Sequence, residues 1–117
     1  MKEKLIQLLN SICPDNVYLQ GTLNENADFP QKFITFFTSD TEDIEHFDNK
    51  VAATAWSFSV IFYSNDPAEV NTIPATITAA LKNAGFIPDG KGRDIASNKA
   101  GYTGWAMDFA IRENENI

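Results

Sequence analysis

A chain of 117 residues, 44% of them hydrophobic, can bury roughly two-thirds of its unfolded surface in one core and has no material for a second. No apolar run is long enough to cross a membrane, and Lys2, Glu3 and Lys4 are not followed by the apolar stretch of a secretory leader, so the sequence reads as a single cytosolic domain, residues 1–117, with no membrane partner. A formal net charge of −7 lacks the counterion release that drives binding to phosphate backbones, which argues against a DNA-binding role but not against a place beside DNA.

From Lys2 to Ile12, Leu5, Ile6, Leu8, Leu9 and Ile12 recur at helical spacing, and Pro14 closes the pattern. Cys13, the sole cysteine, cannot form an internal disulfide and reads as a small core residue. Val17, Tyr18 and Leu19 make a short strand that Gly21 ends. Residues 22–31, with Asn24, Glu25, Asn26 and Asp28, have the composition of an exposed loop long enough to serve as a contact surface. After Pro30, the run Phe33, Ile34, Thr35, Phe36, Phe37 is β-branched or aromatic throughout and predicts a strand buried at least on its Phe33 and Phe37 side.

Residues 39–50 carry Asp40, Glu42, Asp43, Glu45 and Asp48 around His46, with Lys50 as the only cation. Such a segment cannot enter a core and reads as a second exposed loop. Carboxylates beside a histidine can also ligate a divalent ion, but the calcium-loop spacing, its glycine and a second histidine are missing. A third reading is an acidic surface with an electrostatic task.

The chain is organised around residues 54–86. Trp56, Phe58, Val60 and Phe62 alternate onto one face of a strand, which must be buried. Asp66 then has the chemistry of an N-cap, with Pro67 at the first helical position and Glu69 at the third. The stripe Val70, Ile73, Ile77, Leu81 and Ala84 predicts a helix lying on that strand face, ended by Gly85. Pro74 interrupts the stripe and predicts a kink, or a restart capped by Thr72. Trp56, Phe58, Val60, Phe62, Ile77 and Leu81 are the expected core, and a strand follows at Phe86 and Ile87.

The turn Gly90, Lys91, Gly92, Arg93, Asp94 has two cations among its glycines, as phosphate cradles do, yet completes neither the P-loop nor the dinucleotide pattern. It reads as a hairpin-like connection. Trp105, Met107, Phe109 and Ile111 alternate in a last strand within Tyr102–Arg112. The lone histidine sits in the acidic segment and the lone cysteine in an apolar helix, so no catalytic set assembles, and no cofactor or metal is expected. The fold class is α+β: an N-terminal helix and a second helix packed on a mostly antiparallel sheet of four to five strands.

The succession Gln20, Gly21, Thr22, Leu23, then Phe29, Pro30 and Phe33 to Phe37, then Phe47, Asp48, Asn49, resembles small tail-component proteins of long-tailed bacteriophages and prophages. The likeness continues through Trp56, Phe58, Val60, Phe62, Tyr63, Asp66 and Pro67, then Leu81, Lys82, Gly85, Phe86, Gly90, Gly92 and Asp94, and so spans most of the chain. Within that group the nearest class is the tail-completion or tail-terminator protein. The resemblance implies a non-catalytic ring, often a hexamer, that joins the tail tube to the head during virion assembly. Its partners would be copies of itself, tail-tube proteins and neck proteins, in the virion tail or neck and in the host cytoplasm during assembly. DNA would pass through the ring without specific binding, and Asp40, Glu42, Asp43, Glu45 and Asp48 would face the channel and repel phosphates. The competing readings are a stand-alone α+β ligand-binding module and a small metal-dependent enzyme built on the 90–94 turn and the acidic segment.

Overall fold

In the computed structural model, which describes residues 1–23, 29–47, 50–97 and 99–114, with the side chains of 45–47 and 50–52 left aside, two helices lie on one face of a six-stranded mixed sheet. The elements follow as α1 (Lys2–Asn10), β1 (Val17–Leu19), β2 (Lys32–Phe47), β3 (Lys50–Ser64), α2 (Pro67–Asn83), β4 (Ile87–Pro88), β5 (Arg93–Ala96) and β6 (Thr103–Asn114). Across the sheet the order is β1, β2, β3, β6, and the outer edge of β6 is shared between β4 and β5. β1 runs parallel to β2, and the other pairings are antiparallel. Six strands form instead of four or five because β5 occupies residues expected to be only a connection. The connection expected to be hairpin-like does not reverse the chain: through Gly90 and Gly92, at φ 78° and 105°, it leads from β4 into Arg93–Ala96, which continues in the same direction along the same edge of β6.

The core sits between the helices and the alternating residues of three strands. Phe58 lies between Thr38 and Phe109, Val60 between Phe36 and Met107, and Phe62 between Ile34 and Trp105. Leu5 and Leu9 of α1 and Ile77 and Leu81 of α2 close over them, all fully buried. Trp56, expected in this core, is only partly buried. Its ring stacks on Phe58 at 5.7 Å between centroids while Nε1 donates to Glu113 at 3.2 Å, so it closes the core at one end. Burial of β2 also includes Ile34 and Phe36 on the helix side, where sequence pointed to Phe33 and Phe37.

α2 begins and ends as its sequence dictates. The Asp66 carboxylate accepts from the Ala68 N–H at 3.0 Å. Glu69 accepts from Gln31, Lys32 and Ser64, each at 3.1 Å, and so ties the first turn of the helix to the ends of β2 and β3. At the other end, the Gly85 N–H reaches the Lys82 carbonyl at 3.1 Å and the Phe86 N–H the Leu81 carbonyl at 2.9 Å, with Gly85 at φ 98°. The restart expected at Pro74 does not occur. α2 runs unbroken from Pro67 to Asn83, Pro74 is buried, and the Thr72 hydroxyl donates back to the Ala68 carbonyl at 3.1 Å instead of capping a new helix. Val70 before the proline and Ile77 and Leu81 after it are packed into the same core, which holds both halves in one register.

On the opposite face, Phe29, Phe33, Tyr63 and Tyr102 form an aromatic cluster, with Phe33 stacked on Tyr63 at 5.0 Å. A Cβ at Gly104 would stand 2.7 Å from the Tyr63 ring, so the glycine is what lets that ring lie across β6. Tyr102 donates to the carbonyls of Phe29 and Pro30 at 3.2 and 3.0 Å, fixing the start of β2 against the start of β6. Of the expected 22–31 loop, residues 24–28 lie outside the described residues.

The molecule measures 53 × 27 × 22 Å, with a radius of gyration of 15.5 Å. A compact chain of this length has a radius of about 13 Å. At about 3.3 Å per residue, β2 alone runs nearly the whole long axis.

Candidate assembly surface

Two features of the fold lie at the margin of its core: the far half of the β2–β3 hairpin and a groove beside α2. The hairpin owes its length to the acidic segment. Residues expected to form a 39–50 loop are strand through Phe47, because their backbone stays paired with β3, whose other edge is in turn paired with β6 as far as Asn114. β1 covers the outer edge of β2 only to Phe36, and among the described residues nothing pairs with that edge from Thr38 onward. Asp40, Thr41, Glu42, Asp43 and Ile44 are all exposed.

The pairing register sorts these side chains. Asp40 and Glu42 stand opposite Ser57 and Ala55, on the face away from the helices, whereas Thr41 and Asp43 stand opposite Trp56 and Thr54, on the helix face. Register shifts fall between Thr38 and Asp40, between Asp43 and Glu45, and between Glu45 and His46. Carboxylates and bulges on an open edge discourage unspecific pairing with other strands. Glu45 belongs to β2 but its side chain is not described, and Asp48 lies outside the described residues. On the helix-free face, Asp40 borders a pocket of about 340 Å³ together with Asp89 and Asp108. Among the described residues, no three acidic, histidine or cysteine side chains gather closely enough to hold a metal ion.

The groove arises because two helices do not cover six strands. Beside α2 the helix face of the outer part of β6 is less closely covered, and there the half-buried Trp105, with the buried Met107 and Phe109 beneath, forms the floor of a cavity of about 550 Å³. Pro74, Ala75, Thr78 and Ala79 of α2 make one wall. The β4–β5 turn makes the other, held in place by Trp105, whose Nε1 donates to the Lys91 carbonyl at 3.1 Å. The Trp105 ring lies over Gly92 so closely that a Cβ there would collide with Nε1. The segment is thus latched to the sheet, and Arg93 is turned to Asp108 at 2.9 Å. Asp108 also accepts from the Ser59 hydroxyl at 2.7 Å. Lys82 and Lys91 border the groove, both exposed and neither ion-paired among the described residues.

Cys13 is buried beside Leu5 and Leu9, and burial pushes its thiol above the ordinary range, which keeps it protonated near neutral pH. Sequence reasoning named the acidic residues but missed their strand, and it missed the groove altogether. Only the alternation of Trp105, Met107 and Phe109 signalled an apolar strand face there. Compared with protein-family models and with curated protein sequences, the chain matches none of them.

Proposed function

We propose that this chain is a structural, non-catalytic subunit of a long-tailed bacteriophage or prophage particle, a tail-completion or tail-terminator protein whose copies form a ring between tail tube and head. The observation that carries the reading is the hairpin. Residues 39–44 hold an ordered strand whose exposed side chains add little to their own core, at the end of a molecule 53 Å long. Ordering a strand costs conformational entropy, and a contact outside the subunit is what repays it. Asp40 and Glu42, with Asp89 nearby, give the helix-free face an acidic character suited to a channel that DNA crosses without adhering.

A ligand-binding module is the second reading, favoured by the groove, whose volume of about 550 Å³ lies within the range of small-molecule sites. Native mass measurement of the protein, alone and mixed with a tail-tube protein, tests the first. A closed multiple of the subunit that joins the tube protein is expected. A species that stays monomeric in both conditions rejects the ring.

A further inference from the structure

We infer that the groove between α2 and β6 is the seat for the hairpin of a second copy of this chain, with Ile44 entering the apolar floor and Asp43 meeting Lys82 and Lys91. The inference rests on the ring reading only in requiring that copies associate. Three observations lead to it.

The groove asks for an occupant that is apolar in the middle and anionic at its margin. Its floor is the half-buried Trp105 with the buried Met107 and Phe109 beneath, its helix wall offers the small exposed residues Ala75 and Ala79, and its border carries the two cations Lys82 and Lys91. Asp108, the carboxylate at this site, is already engaged by Arg93 and Ser59, so it does not neutralise the lysines.

The hairpin offers that chemistry. Three large hydrophobic residues are exposed among those described: Leu19 at 49%, Ile87 at 66% and Ile44 at 39%. Leu19 has no carboxylate beside it in sequence, and Ile87 belongs to the short β4 at the edge of the groove itself. Ile44 alone follows directly on a carboxylate, Asp43, in a segment of β2 that has a strand partner on one edge only among the described residues.

The two features also sit at opposite edges of the sheet. The free edge of β2 lies toward β1 and the groove toward β4 and β5, with β3 and β6 between, so a hairpin cannot fold back into its own groove. A contact between unlike patches repeats from copy to copy and closes into a ring when the rotation allows. Asp40 and Glu42 point away from Asp43 on the strand, while Ile44 falls at the register shift between Asp43 and Glu45, where the alternation of faces is broken.

Sedimentation of the wild-type protein across concentrations, beside Ile44→Asp and the double variant Lys82→Glu, Lys91→Glu, tests the pairing. All three substituted residues are exposed, and a melting curve for each variant checks that it folds. Each variant is expected to associate at least ~10-fold more weakly than wild type. Mixed together, they should form a one-to-one pair that grows no further, since one partner keeps an intact groove and the other an intact hairpin. Adding Asp43→Lys to the lysine variant should recover association. As a second reading that changes no charge, Ile44→Cys on one copy and Ala79→Cys on another should form a disulfide under oxidation. A wild-type ring indifferent to both variants overturns the inference and leaves the ring reading standing. A ring sensitive only to the groove variant gives the groove to another segment or partner, which also overturns it. Open chains that both variants disrupt support the inference and reject the ring, and a wild-type monomer at every concentration rejects both.

Discussion

The two ends of this molecule are ordered by different means. Where α2 starts, Glu69 joins three donors from β2 and β3, aromatic rings cover the second sheet face, and Phe58, Phe62 and Phe109 lie beneath the helices. At the far end, beyond the level where Thr41, Trp56 and Ile111 stand side by side, β2 has a partner on one edge only and its described side chains face solvent. The first region is held by buried area and the second by backbone pairing. A substitution should therefore destabilise in the body and, in the hairpin, change only what it touches outside the subunit.

The hardest test of that division is Phe58→Ala against Ile44→Ala. Removing the fully buried ring is expected to cost about 3–5 kcal/mol in urea unfolding, through lost burial and the cavity left behind. The exposed Ile44 is expected to stay within about 0.5 kcal/mol of wild type. Comparable losses at both positions would mean that the hairpin belongs to the body after all. A smaller effect, about 1–3 kcal/mol, is expected for Gly92→Ala, because the residue sits at φ 105° and its Cβ would meet the Trp105 ring. Tryptophan emission should shift with it as the latch loosens, and an unchanged spectrum at full stability would show that the β4–β5 turn is not held this way. The smallest change sits at the junction, where the cover of β1 ends. The Thr38 hydroxyl is buried with no hydrogen-bond partner, so Thr38→Val is expected to raise stability by up to about 1 kcal/mol. A loss of stability would show that the hydroxyl has a partner, such as a bound water.

Legibility from sequence followed the same division. α2 could be read nearly residue by residue, since a cap, a stripe and a closing glycine agree with one another; of the two outcomes expected at Pro74, the restart does not occur, because packing on both sides of it keeps one helix despite the missing bond. β2 could be read to Phe37 and no further. Beyond it, Asp40, Thr41, Glu42 and Asp43 are exposed on both faces, so no alternation of polar and apolar residues marks them as strand. β5 was hidden for a related reason: its four residues are mostly exposed and follow two glycines. The acidic residues of the candidate surface were visible as composition, but their division between two faces depends on pairing with β3. The groove depends on what α1 and α2 leave uncovered, a property of packing that no local pattern encodes.

The central place of β3 has a consequence for the order in which the chain assembles. Its pairing with β2 joins Phe47 to Lys50, only three positions apart in sequence, whereas its pairing with β6 begins by joining Ser64 to Thr103 across residues 65–102, which include all of α2. Closing a loop of that length costs about 3 kcal/mol of chain entropy before any contact repays it. Each later pair, from Tyr63 with Gly104 to Ala53 with Asn114, extends the ladder without closing a new loop. The search is thus concentrated in one early step, and a helix already nucleated by Asp66 shortens the span it must bridge. Stopped-flow folding of Asp66→Ala should show a slower main phase, and an unchanged rate would place α2 after the joining of β6.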